Sequence, residues 1–267
     1  MLLDNNKQRY PILISLHKSG STWVNSFIHK RYRRIGLTTP PSNLYTEFFC
    51  LNQSDNRDHK FVQRTDEERI ALLEHLRTFG LEINQKAHLP EIVPVWPWFK
   101  EFYKDHDILV LKRRNIFSHW ISQLFFYCIR QGTNDVTEIV SEEGSTNIIP
   151  SLKDMDMKKE DILKSTIQQY NVQFKFNEKR FRQFVLDIRF LNDVVIKELD
   201  KSQVIWLEDI DHAWLEKRFG VTVKNTVSPF KTLDYKVYFK PEDMAIIKEK
   251  FKERFDNEFQ FFGYEYK

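Results

Sequence analysis

The chain has 267 residues, of which 41% are hydrophobic and 30% are charged, and its formal net charge is +3. This length allows one sizeable α/β domain, and so small an excess of positive charge does not argue for a nucleic-acid partner. Two cysteines are too few to indicate a disulfide framework or a metal cluster. With no signal-peptide pattern and no apolar run near the ~18 residues of a membrane span, we expect a cytoplasmic protein.

Short apolar strands alternate with helices along the chain. Two long loops are expected at Leu37–Lys60 and Gln131–Met157. The predicted elements, in chain order, are a strand at Ile12–Leu16, helices at Thr22–Arg34 and Asp66–Phe79, a strand at Leu81–Gln85, a helical turn at Trp98–Lys104, a strand at Ile108–Leu111 with a helix after it to about Arg130, one or two helices within Asp161–Leu199, a strand at Val204–Leu207, and helices at Asp209–Phe219 and Pro241–Phe255. This alternation predicts a single α/β domain over residues 1–267, with a central parallel sheet flanked by helices.

The first strand runs directly into a polar turn and a helix. The segment Tyr10–Trp23 reads YPILISLHKSGSTW, so Lys18 and Gly20 fall in the turn. A strand, a turn and a helix N-terminus together place free backbone N–H groups around one point, which is a common way to bind an anion. The turn therefore predicts a site for a phosphate-like or sulfate-like group.

Three polar clusters follow predicted strands. Lys18 comes after the first strand, His88 after the second and Arg114 after the third. Ligands of open parallel sheets bind beyond the carboxyl ends of the strands. Lysine, histidine and arginine meeting there indicate an anionic ligand and a proton acceptor.

These segments resemble the signatures of the sulfotransferases. HKSGSTW, from His17 to Trp23, resembles the PKSGTTW loop of that family, and KAHLP, from Lys86 to Pro90, resembles its KTHLP. Arg114-Asn115 with Ser122 eight residues on resembles the second signature of the family, and the LEDI that starts at Leu207 resembles its YEDL. Any one of these motifs is weak, but three in order after predicted strands are more specific.

The resemblance implies a P-loop-like sulfotransferase fold and an enzyme that uses 3′-phosphoadenosine-5′-phosphosulfate as donor. The sulfuryl group would pass to a hydroxyl or amine, with 3′-phosphoadenosine 5′-phosphate as product and no metal needed. Lys18 would stabilise the leaving phosphate, and His88 would act as general base. The donor would be bound by Lys18, Ser19, Gly20, Ser21, Thr22, Trp23, Arg114, Ser122 and Lys231.

Within that set, the resemblance implies separate tasks. Ser21 and Thr22 would donate hydrogen bonds on the 5′-phosphate side, and Trp23 would lie against the adenine. Arg114 would bind the 3′-phosphate through two parallel hydrogen bonds, assisted by Ser122. The acceptor would be a small molecule or a carbohydrate, and its identity and the oligomeric state are not readable from the sequence.

The sequence also departs from the family pattern. His17 replaces a proline, Leu207 replaces the tyrosine of YEDL, and the stretch Ser228–Lys236 lacks the RKG-type sequence of the C-terminal loop, where Lys231 or Lys236 is the substitute. Glu91 is the alternative base. A P-loop-type nucleotide or small-molecule kinase, and a sulfotransferase-like protein that binds nucleotide without catalysis, are the alternative functions.

Overall fold

A computed structural model describes residues 11–17, 19–34, 65–78, 86–131, 178–199, 203–223 and 241–266. Lys18 and Lys231 lie outside these described residues, as do the predicted strand Leu81–Gln85 and the predicted loop Leu37–Lys60.

The described part of the chain is built from short strands and helices in alternation. The strands are β1 (Pro11–Ser15), β2 (Lys86–His88), β3 (Asp107–Lys112) and β4 (Val204–Trp206). The α-helices are α1 (Ser21–Arg34), α2 (Asp66–Thr78), α3 (Leu89–Ile92), α4 (Trp96–Phe102), α5 (Ile116–Gln131), α6 (Glu178–Phe190), α7 (His212–Phe219) and α8 (Pro241–Arg254). Short 3₁₀ turns cover Val93–Val95 and Leu207–Asp209, and π-helical turns cover Leu191–Val195 and Phe255–Phe259.

Within these ranges, the four strands form one parallel sheet in the order β2-β1-β3-β4. Ser15 at the end of β1 pairs with His88 of β2 on one side and with Leu111 of β3 on the other. Lys112 at the end of β3 pairs with Trp206 of β4. The carboxyl ends of all four strands therefore meet at one edge of the sheet.

Both faces of β1 are covered, since every residue of this strand is buried. One face packs against α1 and α7, in a core that includes Leu13, Phe27, Leu111 and Phe219. A continuous apolar strand of this kind is what a parallel sheet with helices on both faces requires. The predicted α/β class with a parallel sheet is confirmed.

The described residues group into two compact units. The first takes them from Met1–Arg113 and Asp187–Pro229, and it contains the whole sheet. The second takes them from Arg114–Leu186 and Phe230–Lys267. The single domain over residues 1–267 stays a prediction.

The core of the second unit is aromatic. The ring of Phe251 on α8 lies 5.3 Å from Trp120 and 4.9 Å from Phe181, and it stacks on Tyr266 at an interplanar angle of 11°. Rings at these separations add to stability beyond the area that they bury. Part of the high phenylalanine content of the sequence is thus explained by packing.

One predicted boundary differs in a way that matters for the site. We expected a strand at Leu81–Gln85 and a polar segment at Lys86–Pro90, whereas β2 consists of Lys86–His88. Lys86 pairs with Leu13 along the backbone and is only 2% exposed, so it belongs to the buried sheet. His88 therefore ends the strand instead of following it.

In the described ranges, no helix has both the length and the apolar character needed to cross a bilayer.

Candidate functional site

The order of the strands marks one edge of the sheet as the place for a ligand. From β1 the chain goes to β2 on one side, and the next strand, β3, pairs with β1 on the other. The carboxyl ends of β1 and β3 flank this reversal, and ligands of open α/β sheets bind at such a reversal. Ser15 of β1 lies at that edge, next to His88 of β2.

The turn between β1 and α1 is held by short local hydrogen bonds. The hydroxyl of Ser19 donates to the carbonyl of Leu16 at 2.6 Å, and the carbonyl of Gly20 accepts from the amide of Trp23 at 3.1 Å. Helix α1 thus begins at Ser21, immediately beyond the carboxyl end of β1. The first amides of a helix have no intrahelical acceptor, and they carry the positive end of its dipole.

Gly20 is required by its conformation and by its neighbour. Its φ is +83°, a region that side chains with a Cβ rarely adopt. A Cβ at this position would also lie 2.7 Å from Cδ1 of Leu207. Leu207 follows β4, so this contact fixes the turn after β1 against the end of β4.

The other loop residues differ in exposure. Ser19 and Ser21 are buried, whereas Thr22 is exposed. Trp23 is 8% exposed and packs edge-to-face on Phe27 at 6.3 Å, within the core between the sheet and α1. The packing accounts for a tryptophan at position 23, and its contact with adenine stays a prediction.

His88 is the centre of a buried polar cluster. Its Nδ1 lies 3.5 Å from Oγ of Ser15, at the long limit of a hydrogen bond. Its ring lies 4.1 Å from the ring of His17, with 30° between the two planes. His88 is only 6% exposed, so its imidazole is largely shielded from bulk water.

Glu91 belongs to the same cluster. Its Oε1 lies 3.7 Å from Nε2 of His17, and the carboxyl side chain is 7% exposed. Glu91 stands in the first turn of α3, three residues after His88, which is the N-cap of that helix. His17, His88 and Glu91 thus form one largely buried cluster at the carboxyl edge of the sheet.

The sequence alone does not mark His17 as a candidate site residue. In the sequence it differs only by replacing a proline, because its ring meets that of His88 only in the folded sheet. Glu91 is predicted from the sequence as the alternative base. The structure places Glu91 against His17 in a cluster that also holds His88.

Lys112 is a second residue that the sequence alone does not mark, since it stands in the basic run Lys112-Arg113-Arg114. It ends β3 at the carboxyl edge of the sheet and is 4% exposed. Its Nζ donates to Oδ1 of Asn192 at 2.7 Å and lies 4.2 Å from the centre of the Trp206 ring. Asn192 belongs to the π-helical turn after α6, a type of turn frequent at functional sites.

Arg114 and Ser122 belong to the second unit. The backbone of Arg114 accepts a hydrogen bond from the amide of Glu265 at 2.8 Å, and its Nε lies 3.8 Å from Oε1 of the same residue. The hydroxyl of Ser122 donates to the carbonyl of Ser118 one turn earlier on α5, at 2.8 Å. Both side chains are half-buried, and their contact with a 3′-phosphate stays a prediction.

Among the described residues, no group of three or more His, Cys, Asp or Glu side chains is placed to hold a metal ion.

No protein-family model, no curated protein and no solved structure matches this chain.

Proposed function

We propose that the protein is a sulfotransferase with a P-loop-like fold. It moves the sulfuryl group of 3′-phosphoadenosine-5′-phosphosulfate to a hydroxyl or amine of a small-molecule or carbohydrate acceptor. The observation that carries the proposal is the position of His88. This residue ends β2 beside Ser15, at the same sheet edge from which the Ser19–Trp23 turn opens helix α1.

The arrangement fits the donor because anion binding and proton acceptance are adjacent. The amides that begin α1, together with Lys18 from the sequence resemblance, would bind the 5′-phosphosulfate end. Gly20 supports this fit, since its positive φ shapes the turn from which α1 starts. The hydroxyl of Ser19 is used within the turn, so Ser19 would contribute its backbone N–H.

The chemical step needs a base, a leaving-group cation and in-line geometry. His88 takes the proton from the acceptor while the acceptor oxygen or nitrogen forms its bond to sulfur. The bond between sulfur and the bridging oxygen of the 5′-phosphate breaks, and its electron pair remains on the phosphate. Lys18 and the first amides of α1 stabilise the charge that develops there.

His17 and Glu91 prepare His88 for this step. The ring of His17 packs against that of His88 and limits its orientations. The carboxylate of Glu91 pairs with His17 instead of competing for the acceptor proton. In this scheme His17 is a positioning residue, and His88 is the base in preference to Glu91.

The 3′-phosphate is assigned to Arg114 and Ser122 on the resemblance of their segment to the second sulfotransferase signature. To bind it, the guanidinium of Arg114 would exchange its contact with Glu265 for phosphate oxygens. Lys231 is assigned in the same way, as a substitute for the missing C-terminal arginine.

Calorimetric titration with 3′-phosphoadenosine 5′-phosphate and with ATP tests the donor class. We expect the bis-phosphorylated nucleotide to bind at least tenfold more tightly, because ATP has no 3′-phosphate for Arg114. Tighter binding of ATP would instead support a kinase. Binding of the bis-phosphate without sulfate transfer to a broad acceptor panel would support a non-catalytic protein.

Lys18→Ala tests the leaving-group role. Transfer should slow by about 10²-fold or more, as when a preorganised stabilising group is removed, with the melting temperature almost unchanged. Lys248→Ala is the matched control, since Lys248 is an exposed lysine on α8. Near-normal turnover of Lys18→Ala would contradict the assignment.

A further inference from the structure

A cavity of about 480 Å³ lies between α7 and the strands β3 and β4 of the first unit. Leu109 and Ile205 line its apolar side, and both belong to the core between the sheet and helices α1 and α7. Trp214, Lys217 and Arg218 line it from α7. Its volume is in the range of small-molecule sites, which are apolar with a few polar groups.

Two of the lining side chains, those of Trp214 and Lys217, are available to bind a ligand because other described residues do not engage them. Trp214 is 36% exposed, and its ring makes no contact with another described aromatic or cationic side chain. Lys217 is exposed and forms no ion pair or hydrogen bond with any described residue. The spacing of Trp214, Lys217 and Arg218 at i, i+3 and i+4 puts them on one face of α7.

The charge at the cavity is positive. Arg218 bonds to Asp107 through Nη2 and Oδ2 at 2.9 Å, so this guanidinium and carboxylate balance each other. Lys217 then contributes one net positive charge. Lysine in the last turn of a helix also complements the helix dipole. That role explains neither the exposed indole nor the cavity beside it.

The charged end of this cavity lies away from the proposed donor site. Asp107 begins β3, so the pair that it forms with Arg218 lies at the amino end of that strand. Ser15 and His88 lie at the carboxyl ends of their strands. Ile205, in contrast, pairs with Leu111, which pairs with Ser15, so the apolar wall of the cavity reaches the level of Ser15 in the sheet.

We propose that the Trp214 cavity binds a planar aromatic molecule that carries one anionic group. The ring stacks on the exposed indole of Trp214 and rests on Leu109 and Ile205, which lets the apolar part of the ligand leave water. The anionic group pairs with the ammonium of Lys217. This binding function is additional to sulfate transfer and does not depend on it.

Binding of 2-naphthoate tests the proposal, with acetate as the anion without a ring and 2-naphthamide as the ring without a charge. The readouts are calorimetry and the indole N–H NMR signal of Trp214, assigned with Trp214→Phe. We expect 2-naphthoate to shift that signal and to bind about tenfold more tightly than 2-naphthamide, as for a charge-assisted contact. Acetate should leave the signal unchanged.

Variants locate the binding. Lys217→Gln and Trp214→Ala should each weaken the binding of 2-naphthoate about fivefold or more. Lys248 is an exposed lysine of the second unit, and Lys248→Ala should leave this binding unchanged. Lys217 has no partner among the described residues, so we expect Lys217→Gln to stay folded. This variant therefore decides the test even if Trp214→Ala does not fold. Equal affinity in wild type and Lys217→Gln, or an unshifted Trp214 signal, would overturn the proposal.

A competition experiment separates this site from the donor site. Saturating 3′-phosphoadenosine 5′-phosphate should leave the affinity for 2-naphthoate unchanged. Displacement of 2-naphthoate by the nucleotide would place it in the donor site and overturn the proposal. If the nucleotide does not bind at all, the proposed function fails, while the naphthoate results still decide the Trp214 cavity.

Discussion

The imidazole rings of His17 and His88 lie 4.1 Å apart with 30° between their planes. One ring comes from the turn after β1 and the other from the end of β2, so the register of two neighbouring strands produces the pair. Glu91 holds the far side of His17, 3.7 Å from its Nε2. The base of the proposed reaction is thus oriented by a residue that stands where the sulfotransferases have a proline.

Removal of the base should stop transfer and spare donor binding. In His88→Asn the side chain cannot take the acceptor proton, so we expect the turnover number to fall by about 10²- to 10⁴-fold. The Kd of 3′-phosphoadenosine 5′-phosphate should change less than about twofold, because His88 is assigned to the acceptor side. Turnover is measured with labelled donor and the Kd by calorimetry.

The matched control is His75→Asn, which replaces an exposed histidine on α2 and should change neither quantity. If His88→Asn loses nucleotide binding as well, His88 is structural instead of catalytic.

Loss of the ring at position 17 should lower turnover through His88. In His17→Ala we expect the turnover number to fall about tenfold or more, with little change in the KM of the acceptor, because the base is less well oriented. His17→Phe keeps a ring against His88 and should recover most of the loss. The split between turnover and KM is the readout.

A phenylalanine variant as slow as the alanine variant would show that stacking does not position His88. The pairing of His17 with Glu91 would then be the relevant contact, and Glu91→Gln should reproduce the defect.

Replacement of Gly20 should destabilise the first unit for two separable reasons. Gly20→Ala places a Cβ at a φ of +83° and 2.7 Å from Leu207, and we expect the free energy of unfolding to fall by about 1–3 kcal/mol. In a Leu207→Ala background the steric part disappears, so the loss caused by Gly20→Ala should be smaller. Chemical denaturation of the four proteins measures the difference.

Gly220 provides the control for the backbone part. It has a φ of +63°, but the nearest described atom to a Cβ there would be Nη1 of Arg31 at 3.4 Å, at the edge of ordinary van der Waals contact. Gly220→Ala should therefore cost only about 1 kcal/mol. A Gly20→Ala effect independent of residue 207 would contradict the packing argument.

Arg114 should determine the preference for a 3′-phosphate. Arg114→Ala should weaken the binding of 3′-phosphoadenosine 5′-phosphate about tenfold to a hundredfold, since a charge-assisted contact is lost. The binding of adenosine 5′-phosphate should be almost unaffected. Ser122→Ala should weaken the bis-phosphate less. The ratio of the two nucleotide affinities is the quantity to measure.

Arg182→Ala is the matched control, because Arg182 is an exposed arginine of the second unit that pairs with Glu178. If Arg114→Ala lowers the affinity for both nucleotides equally, Arg114 does not contact the 3′-phosphate.

The ionised carboxylate of Glu198 should make a small contribution to the free energy of unfolding, and this contribution should be lost in acid. The hydrogen bond from the Lys100 ammonium lowers the pKa of Glu198 below 4.5, helped by the Trp96 indole N–H and opposed by burial. A carboxyl group whose pKa is lower in the folded state than in the unfolded state stabilises the fold at pH values above the unfolded-state pKa. That stabilisation is lost as the pH falls through the folded-state pKa. We expect Glu198→Gln to cost less than about 1 kcal/mol at pH 7, since the pair is exposed, and clearly less near pH 3.

Urea denaturation of wild type and Glu198→Gln at the two pH values measures this difference. Lys100→Gln should show the same dependence on pH, because it removes the other partner. A difference that grows in acid would contradict the assigned direction of the pKa shift.

The strands and turns that local patterns specify were predictable from the sequence. The apolar run before Lys18 becomes β1, Gly20 occupies the turn, and Gly220 ends α7 with a φ of +63°. The predicted strand Val204–Leu207 agrees with β4 except that Leu207 begins a 3₁₀ turn. These features depend on neighbours in the chain, which a single sequence contains.

Features that depend on distant residues were not predictable. Lys86 reads as a loop lysine until its pairing with Leu13 makes it the first residue of β2. His17 and His88 are 71 positions apart, and Lys112 meets Asn192 80 positions later. No local pattern marks such a contact, because it exists only once the sheet has its register.

The position of β1 within the sheet has a consequence for biosynthesis. Both neighbours of β1 come later in the chain, so it emerges from the ribosome long before Lys86–His88 and Asp107–Lys112 are translated. During that interval the apolar segment PILIS has no partner strand of its own sheet. Nascent chains of this protein therefore pass through a stage that is prone to aggregation and suited to chaperone binding.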